Sequence, residues 1–191
     1  MKRFEELTSL EQVLLLGFIP ILGATSSLGA ALAAAVIGVL SAVLVWLAAR
    51  LIPASVGNTT RWGTLVALGI GLSYGLSLSA AYLVPLPAAA LVYLYLAGAT
   101  PLVYFGAGSA CTVRQCSLLL LRYVAVVLAF GVVREALGNG TLLGVDLWQP
   151  GVIPAGILAS GTGALLLFAG VAFVSHMRAD LKASRARENQ A

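Results

Sequence analysis

No charged side chain occurs between Glu11 and Arg50, and none between Arg61 and Arg114. Each of these runs is longer than the ~20 apolar residues that carry a helix across a bilayer. Lipid offers no water to the peptide groups, so a backbone threaded through it must bond to itself, which an α-helix does within one segment. The 191-residue chain is 60% hydrophobic and 9% charged, with a mean hydropathy of +1.01, whereas a soluble domain is typically about 25% charged. The reading is an all-α polytopic membrane protein. Met1 to Leu10 mixes Lys2 and Arg3 with acids and is followed by an apolar run without a cleavage-like break, so no cleavable signal peptide is expected. The net charge of +4 comes from basic residues at span ends and in the tail, where orientation in a membrane places them. Nucleic acid is therefore not an expected partner; membrane lipid is.

Two short segments break the pattern of full spans. Leu16–Gly23 and Leu96–Cys116 each carry glycine, two residues, proline and an apolar pair, at Gly17/Pro20 and at Gly98/Pro101. Proline lacks an amide donor and crowds the preceding turn. The apolar run Leu10 to Leu22 amounts to roughly 20 Å of helix, short of the ~30 Å hydrocarbon core. Paired interruptions of this kind mark an internally duplicated membrane fold with its site between the repeats. The sequence thus predicts six transmembrane segments in two inverted three-helix repeats, each opened by a broken half-helix. Repeat one covers about 10–83, repeat two about 88–176, and a basic tail follows over 177–191.

In chain order, Ser9 and Gln12 have the form of a capping box, Ala24–Ser27 of a bend, and Leu28 to Ala49 of a full span. Trp62 to Leu83 is the next span. Its Ala67, Gly71, Gly75 and Ser79 recur at every fourth position, a stripe that lets another helix approach closely. Ala88 to Gly106 holds the second half-helix, Ser117 to Gly131 the fifth span and Pro150 to Val174 the last, with Trp148 as an interfacial anchor. With the N-terminus inside, Lys2, Arg3, Arg50, Arg61, Arg114 and the tail all fall on the cytoplasmic side.

Ionisable groups inside a membrane default to functional candidates. Arg122 reads as lying near the cytoplasmic end of its span, free to snorkel. Arg134 and Glu135 read either as outer-interface residues or as part of a site. Cys111 and Cys116 would stand about 140° apart on a helix, so they could share a metal only where the helix has ended. The plainer reading is two small buried thiols. His176 is an interfacial residue, and Asn139-Gly140-Thr141 reads as a tight turn. No Walker loop, dinucleotide fingerprint, catalytic triad or zinc set is present, so a self-contained enzyme is not expected.

The stretch Val133-Arg134-Glu135-Ala136-Leu137-Gly138-Asn139-Gly140-Thr141-Leu142-Leu143-Gly144 closely resembles the REILGNGTLFG block of the E subunit of the Rnf electron-transport complex and of the D subunit of the sodium-pumping NADH:quinone reductase. Leu15–Leu22 is similar to that family's LLGLCPLL, Pro101-Leu102-Val103 to its PLIV, and Pro150–Gly156 with the basic tail to its last helix. The resemblance implies a subunit of inverted repeats in the bacterial cytoplasmic membrane. It implies pairing with a paralogous A-type subunit among other Rnf subunits, in a complex that couples electron transfer between ferredoxin and NAD to sodium or proton translocation. It further implies a [2Fe-2S] cluster midway across the membrane, with two cysteines from each paralogue. The chain departs from that pattern: Ile19 stands where the first cysteine is expected and Ala107 at the second, unless a short insertion brings Cys111 there, with Cys116 as a further candidate. The rival expectation is a stand-alone inverted-repeat transporter or a structural paralogue without a redox role.

Overall fold

The computed structural model describes residues 9–53, 56–83, 86–100, 102–104, 112–147 and 155–188. Pro101, Ala107, Cys111 and Trp148 lie outside the described residues, as do the side chains of Ser9 and Gln12. The elements are α1 (Ser9–Leu16), α2 (Phe18–Gly23), α3 (Leu28–Leu51), α4 (Asn58–Leu83), α5 (Ala88–Tyr95) with a 3-10 turn (Leu96–Ala99), α6 (Val113–Arg134) with a π turn (Glu135–Asn139), the short strands β1 (Thr141–Leu142) and β2 (Val145–Asp146), a second 3-10 turn (Gly156–Ala159) and α7 (Gly161–Glu188). Among the described residues, four helices are long and apolar enough to cross a membrane: Leu28–Leu51, Asn58–Leu83, Val113–Asn139 and Gly161–Arg178. Among the described residues the fold is that of an all-α membrane protein apart from one small hairpin.

The two Gly-x-x-Pro steps act differently. In the first, Pro20 sits inside α2 and gives the Leu16 carbonyl no amide to bond. The helix bends at Gly17 (φ −101°, ψ 18°), yet the ladder continues on either side, with the Gly17 amide donating to the Val13 carbonyl at 2.9 Å and the Ile21 amide to the Gly17 carbonyl at 3.1 Å. The step expected to stop the helix kinks it instead, and the chain turns later, after Gly23. Ser9 to Gly23 rises roughly 22 Å, too little to cross the ~30 Å core. At the second step α5 tightens into the 3-10 turn and Thr100 is extended (φ −71°, ψ 144°), the conformation that a following proline imposes on its predecessor.

Helix α3 lies at the centre, packed on α4 and α6, while α4 also runs along α5 and its 3-10 turn. α7 packs on α1, α2 and the turn Gly156–Ala159, and α2 meets α5. A buried tyrosine fixes the crossing of three of these helices. Tyr123 of α6 is fully buried, and its hydroxyl donates to the Ala34 carbonyl of α3 at 3.3 Å. A Cβ at Gly17 would lie 2.8 Å from the tyrosine ring, and one at Gly38 2.7 Å from its hydroxyl. The two glycines therefore form the slot that receives the ring.

The stripe Ala67, Gly71, Gly75 and Ser79 does not pack inside the chain: all four residues are exposed. The buried face of α4 is Leu65, Gly69, Ser73 and Ser77, a parallel row with the same spacing. Ser73 Oγ donates to the Tyr95 carbonyl at 2.8 Å, satisfying the end of α5. A Cβ at Gly69 would meet the Tyr104 hydroxyl and the Gly98 carbonyl, so this row admits the broken helix.

Gly17→Ala is expected to cost about 1 to 3 kcal/mol through overpacking against Tyr123. Pairing it with Tyr123→Leu should recover part of the loss, read as the thermal unfolding midpoint of the detergent-solubilised protein. A neutral Gly17→Ala would show that the ring is not held in this slot.

Candidate functional site

The buried ionisable groups among the described residues are Arg134, 2% exposed, and Glu135, 5% exposed. They are adjacent in sequence at the junction of α6 with its π turn, and they serve different partners. Arg134 Nε donates to the Leu158 carbonyl at 2.9 Å. Nη1 donates to the Leu22 carbonyl at 3.0 Å and to Thr25 Oγ1 at 2.8 Å, and Nη2 to the carbonyls of Ala159 and Ser160, both at 3.1 Å. A guanidinium has five N–H donors in a rigid fork, and each is matched here by an acceptor. Leu22 belongs to the last turn of α2, Leu158 and Ala159 close the 3-10 turn before α7, and the Ser160 carbonyl opens α7, where it also accepts from the Ala164 amide at 3.2 Å. Helix C-terminal ends leave carbonyls without partners and favour a cation.

Glu135 does the complementary work. Its Oε2 accepts from the Leu28 amide at 2.5 Å, at the first turn of α3, where orphan amides and the helix dipole favour an anion. Its Oε1 accepts from the Leu143 amide at 2.6 Å. Leu143 has φ +53° and is followed by Gly144 at φ +80°, so Leu142 to Val145 close through the mirror-image turn that suits a two-residue hairpin. A leucine in this region is strained, and the carboxylate holds its amide in place.

The neighbouring motif residues complete the clasp. A Cβ at Gly138 would come 2.6 Å from the Ala159 amide nitrogen, so only glycine lets the second 3-10 turn approach. Asn139 Nδ2 donates to the Ser26 carbonyl at 3.2 Å. Gly140 ends the π turn in the left-handed region, and Thr141 pairs with Asp146 across the hairpin. The sequence reading singled out these residues and left two roles open for Arg134 and Glu135. In the fold neither is an exposed interfacial charge: both are buried, and their donors and acceptors are spent on the backbone of four elements and the Thr25 hydroxyl. The clasp fastens the end of α2 and the start of α3 to the 3-10 turn before α7 and to the hairpin.

The other sequence candidates lie elsewhere. Gly17, Pro20 and Gly98 sit in the two short helices, where Gly23 lies under the Tyr93 ring. Cys116 is buried, 6% exposed, and disulfide-bonded. With Trp46, Val43, Leu102, Val103 and Leu119 it lines a small apolar cleft between α3, α6 and residues 102–103. That cleft is at the opposite end of the bundle from the clasp, where Arg50 stacks over Trp46 at 4.7 Å and Arg61 Nη2 donates to the Ala49 carbonyl at 2.9 Å. Thr112 and Gln115 cap α6 there in a reciprocal box that the sequence reading did not find. His176 is exposed on α7.

Among the described residues no ligand set for a [2Fe-2S] cluster is brought together, and Cys111 lies outside them. Ile19 offers no thiolate, a disulfide sulfur is not the thiolate that ligates iron, and Cys116 lies seven residues along α6 from Tyr123, about 10 Å below the Gly17 kink. No step is assigned to a cluster in this chain. No protein-family model, no curated protein and no solved structure matches the sequence or the fold.

Arg134→Ala is expected to lose roughly 3 kcal/mol or more, because it leaves buried acceptors unpaired. Arg134→Lys should rescue little, since an ammonium cannot reproduce the fork. Thermal unfolding of the purified variants reads both, and a full rescue by lysine would refute the clasp geometry. Separately, Cys116 of the denatured, unreduced chain should take up no maleimide and should label after reduction; a labelled Cys116 before reduction, located by mass spectrometry, would overturn this.

Proposed function

We propose that this chain is a membrane subunit of an Rnf-type complex, coupling electron transfer between ferredoxin and NAD to sodium or proton translocation, in which it serves as scaffold for the ion path. The observation that carries the reading is reciprocal packing. The broken helix of the first half, α1 with α2, lies against α6 and α7, while that of the second half, α5 with its 3-10 turn, lies against α3 and α4. Exchange of this kind is what two inverted three-helix repeats require, with the short helices counted as the first segment of each. The Arg134–Thr141 stretch, which bears the family resemblance, supports the reading further because it is the piece that fastens the two halves.

Orientation follows from charge. Arg50, Arg61 and Arg114 gather at one end of the bundle, toward which the helical tail beyond Arg178 also runs, whereas the cation at the other end, Arg134, is enclosed by carbonyls. The positive-inside rule makes the basic end cytoplasmic, in the inner membrane of a bacterium. The Cys116 disulfide pulls the other way, since such bonds are rare in the cytosol; the number of cations decides the assignment. The partners under this reading are the paralogous A-type subunit, the other Rnf subunits and lipid.

A second reading has its own support. Ile19 and the oxidised Cys116 favour a structural paralogue or inverted-repeat transporter that has left redox work to other chains.

Purification from the native membrane in mild detergent separates the two. Co-purification with flavin-bearing subunits and an A-type paralogue is the expected result. Recovery as an isolated homodimer without redox partners would reject the Rnf-type reading in favour of the second.

A further inference from the structure

The basic end of the bundle carries cations that meet no acid. Arg50 lies in the last turn of α3, while Arg61 and Arg114 lie in the first turns of α4 and α6. Arg61 is committed to the Ala49 carbonyl. Arg50 is exposed, and its guanidinium carbon stands 4.7 Å from the centre of the Trp46 ring. Contact with a ring face uses the charge and consumes none of the five N–H donors. Of the acids, Glu135 and Asp146 belong to the clasp end, Glu11 lies on α1, which packs on α6 and α7, and the remainder precede Ser9 or follow Arg178. Among the described residues no carboxylate pairs with Arg50. The site is open to an anion from outside the chain.

What lies beneath Arg50 narrows the class of that anion. Val43, Trp46 and Arg50 follow one another at helical spacing on a single row of α3. The first two line the apolar cleft between α3, α6 and residues 102–103, whose other wall includes Cys116, Leu119 and Leu120. Val43 is 41% exposed, so the cleft opens sideways, toward the hydrocarbon around two helices long enough to span it. From residue 50 down to residue 43, α3 descends about 10 Å. A held guanidinium thus stands at the membrane-boundary end of an apolar groove that runs inward from it. A small soluble anion would leave the groove unused, and an uncharged chain would leave the cation unmet. An anionic amphiphile satisfies both.

We propose that this cleft binds an anionic phospholipid, with the phosphate on Arg50 and the upper part of one acyl chain along Val43, Trp46 and Leu120. Arginine recognises a phosphate through two parallel N–H donors, and basic pockets between spanning helices select acidic headgroups. Trp46 has two roles: it orients the guanidinium and forms the groove wall below it. The proposal does not rest on the Rnf-type reading, because it requires only the bilayer.

The test is native mass spectrometry of the full chain in mild detergent, offered phosphatidylglycerol and phosphatidylcholine of matched acyl chains in equal amounts. Phosphatidylglycerol should be retained in preference. Its retention should fall roughly tenfold with Arg50→Ala, the loss of one charge-assisted pair, and stay within about threefold with Arg50→Lys, which keeps the charge without the fork. Val43→Trp, which fills the groove and keeps every cation, should reduce retention as strongly. Arg122→Ala, at an exposed cation that does not line the cleft, should leave it unchanged. An unaltered thermal unfolding midpoint in each variant excludes a folding defect. Equal retention of the two lipids, an equal loss with Arg122→Ala, no loss with Val43→Trp, or displacement of the lipid by chainless glycerol phosphate would each overturn the proposal.

Discussion

The fork of Arg134 is the interaction on which the arrangement of this protein depends. In a bilayer the ends of short helices are a liability, because their last carbonyls have neither water nor a next turn to bond. Two such ends, Leu22 at the close of α2 and residues 158–160 before α7, face each other across the bundle and are met by one side chain. Glu135 does the same for the amide end of α3. One dipeptide thereby supplies a cation to carbonyl-rich ends and an anion to an amide-rich one. Without it the broken helix of the first half would leave bare backbone within the protein.

The slot for Tyr123 is the second constraint, and it works by shape. Gly17 is both the bend of the first short helix and one wall of the slot, and Gly38 is the other wall. The kink thus has a packing purpose: it brings a glycine to the point where a tyrosine of the other half must enter. The buried hydroxyl is satisfied by the Ala34 carbonyl, as a phenol inside an apolar core must be.

Much of the fold was legible in the sequence because the bilayer writes a coarse rule into it. The charge-free runs carry the membrane class, and their punctuation by Arg50, Arg61, Pro85 and Gly138 marks α3, α4 and α6 to within about four residues, whereas the last helix, expected over Pro150 to Val174, is Gly161–Glu188. The inward face of α4 was not legible. Two rows of small residues share that helix, Ala67 to Ser79 and Gly69 to Ser77, and spacing alone cannot say which one a neighbour covers. Arg134 and Glu135 were visible as charges near a span end, but their burial depends on residues more than 100 positions earlier, which no local pattern reports. The oxidation of Cys116 was not legible either.

The clasp also sets an order on how the protein is made. Leu22 and Thr25 leave the ribosome long before Arg134, but the carbonyls of Leu158, Ala159 and Ser160 come after it. While α6 passes the insertion machinery, most of its guanidinium hydrogen bonds have no acceptor. This end of the bundle can lock only once residues 158–160 have been delivered, so the arrival of that one turn is the event that commits α2, α3 and α6 to their native packing.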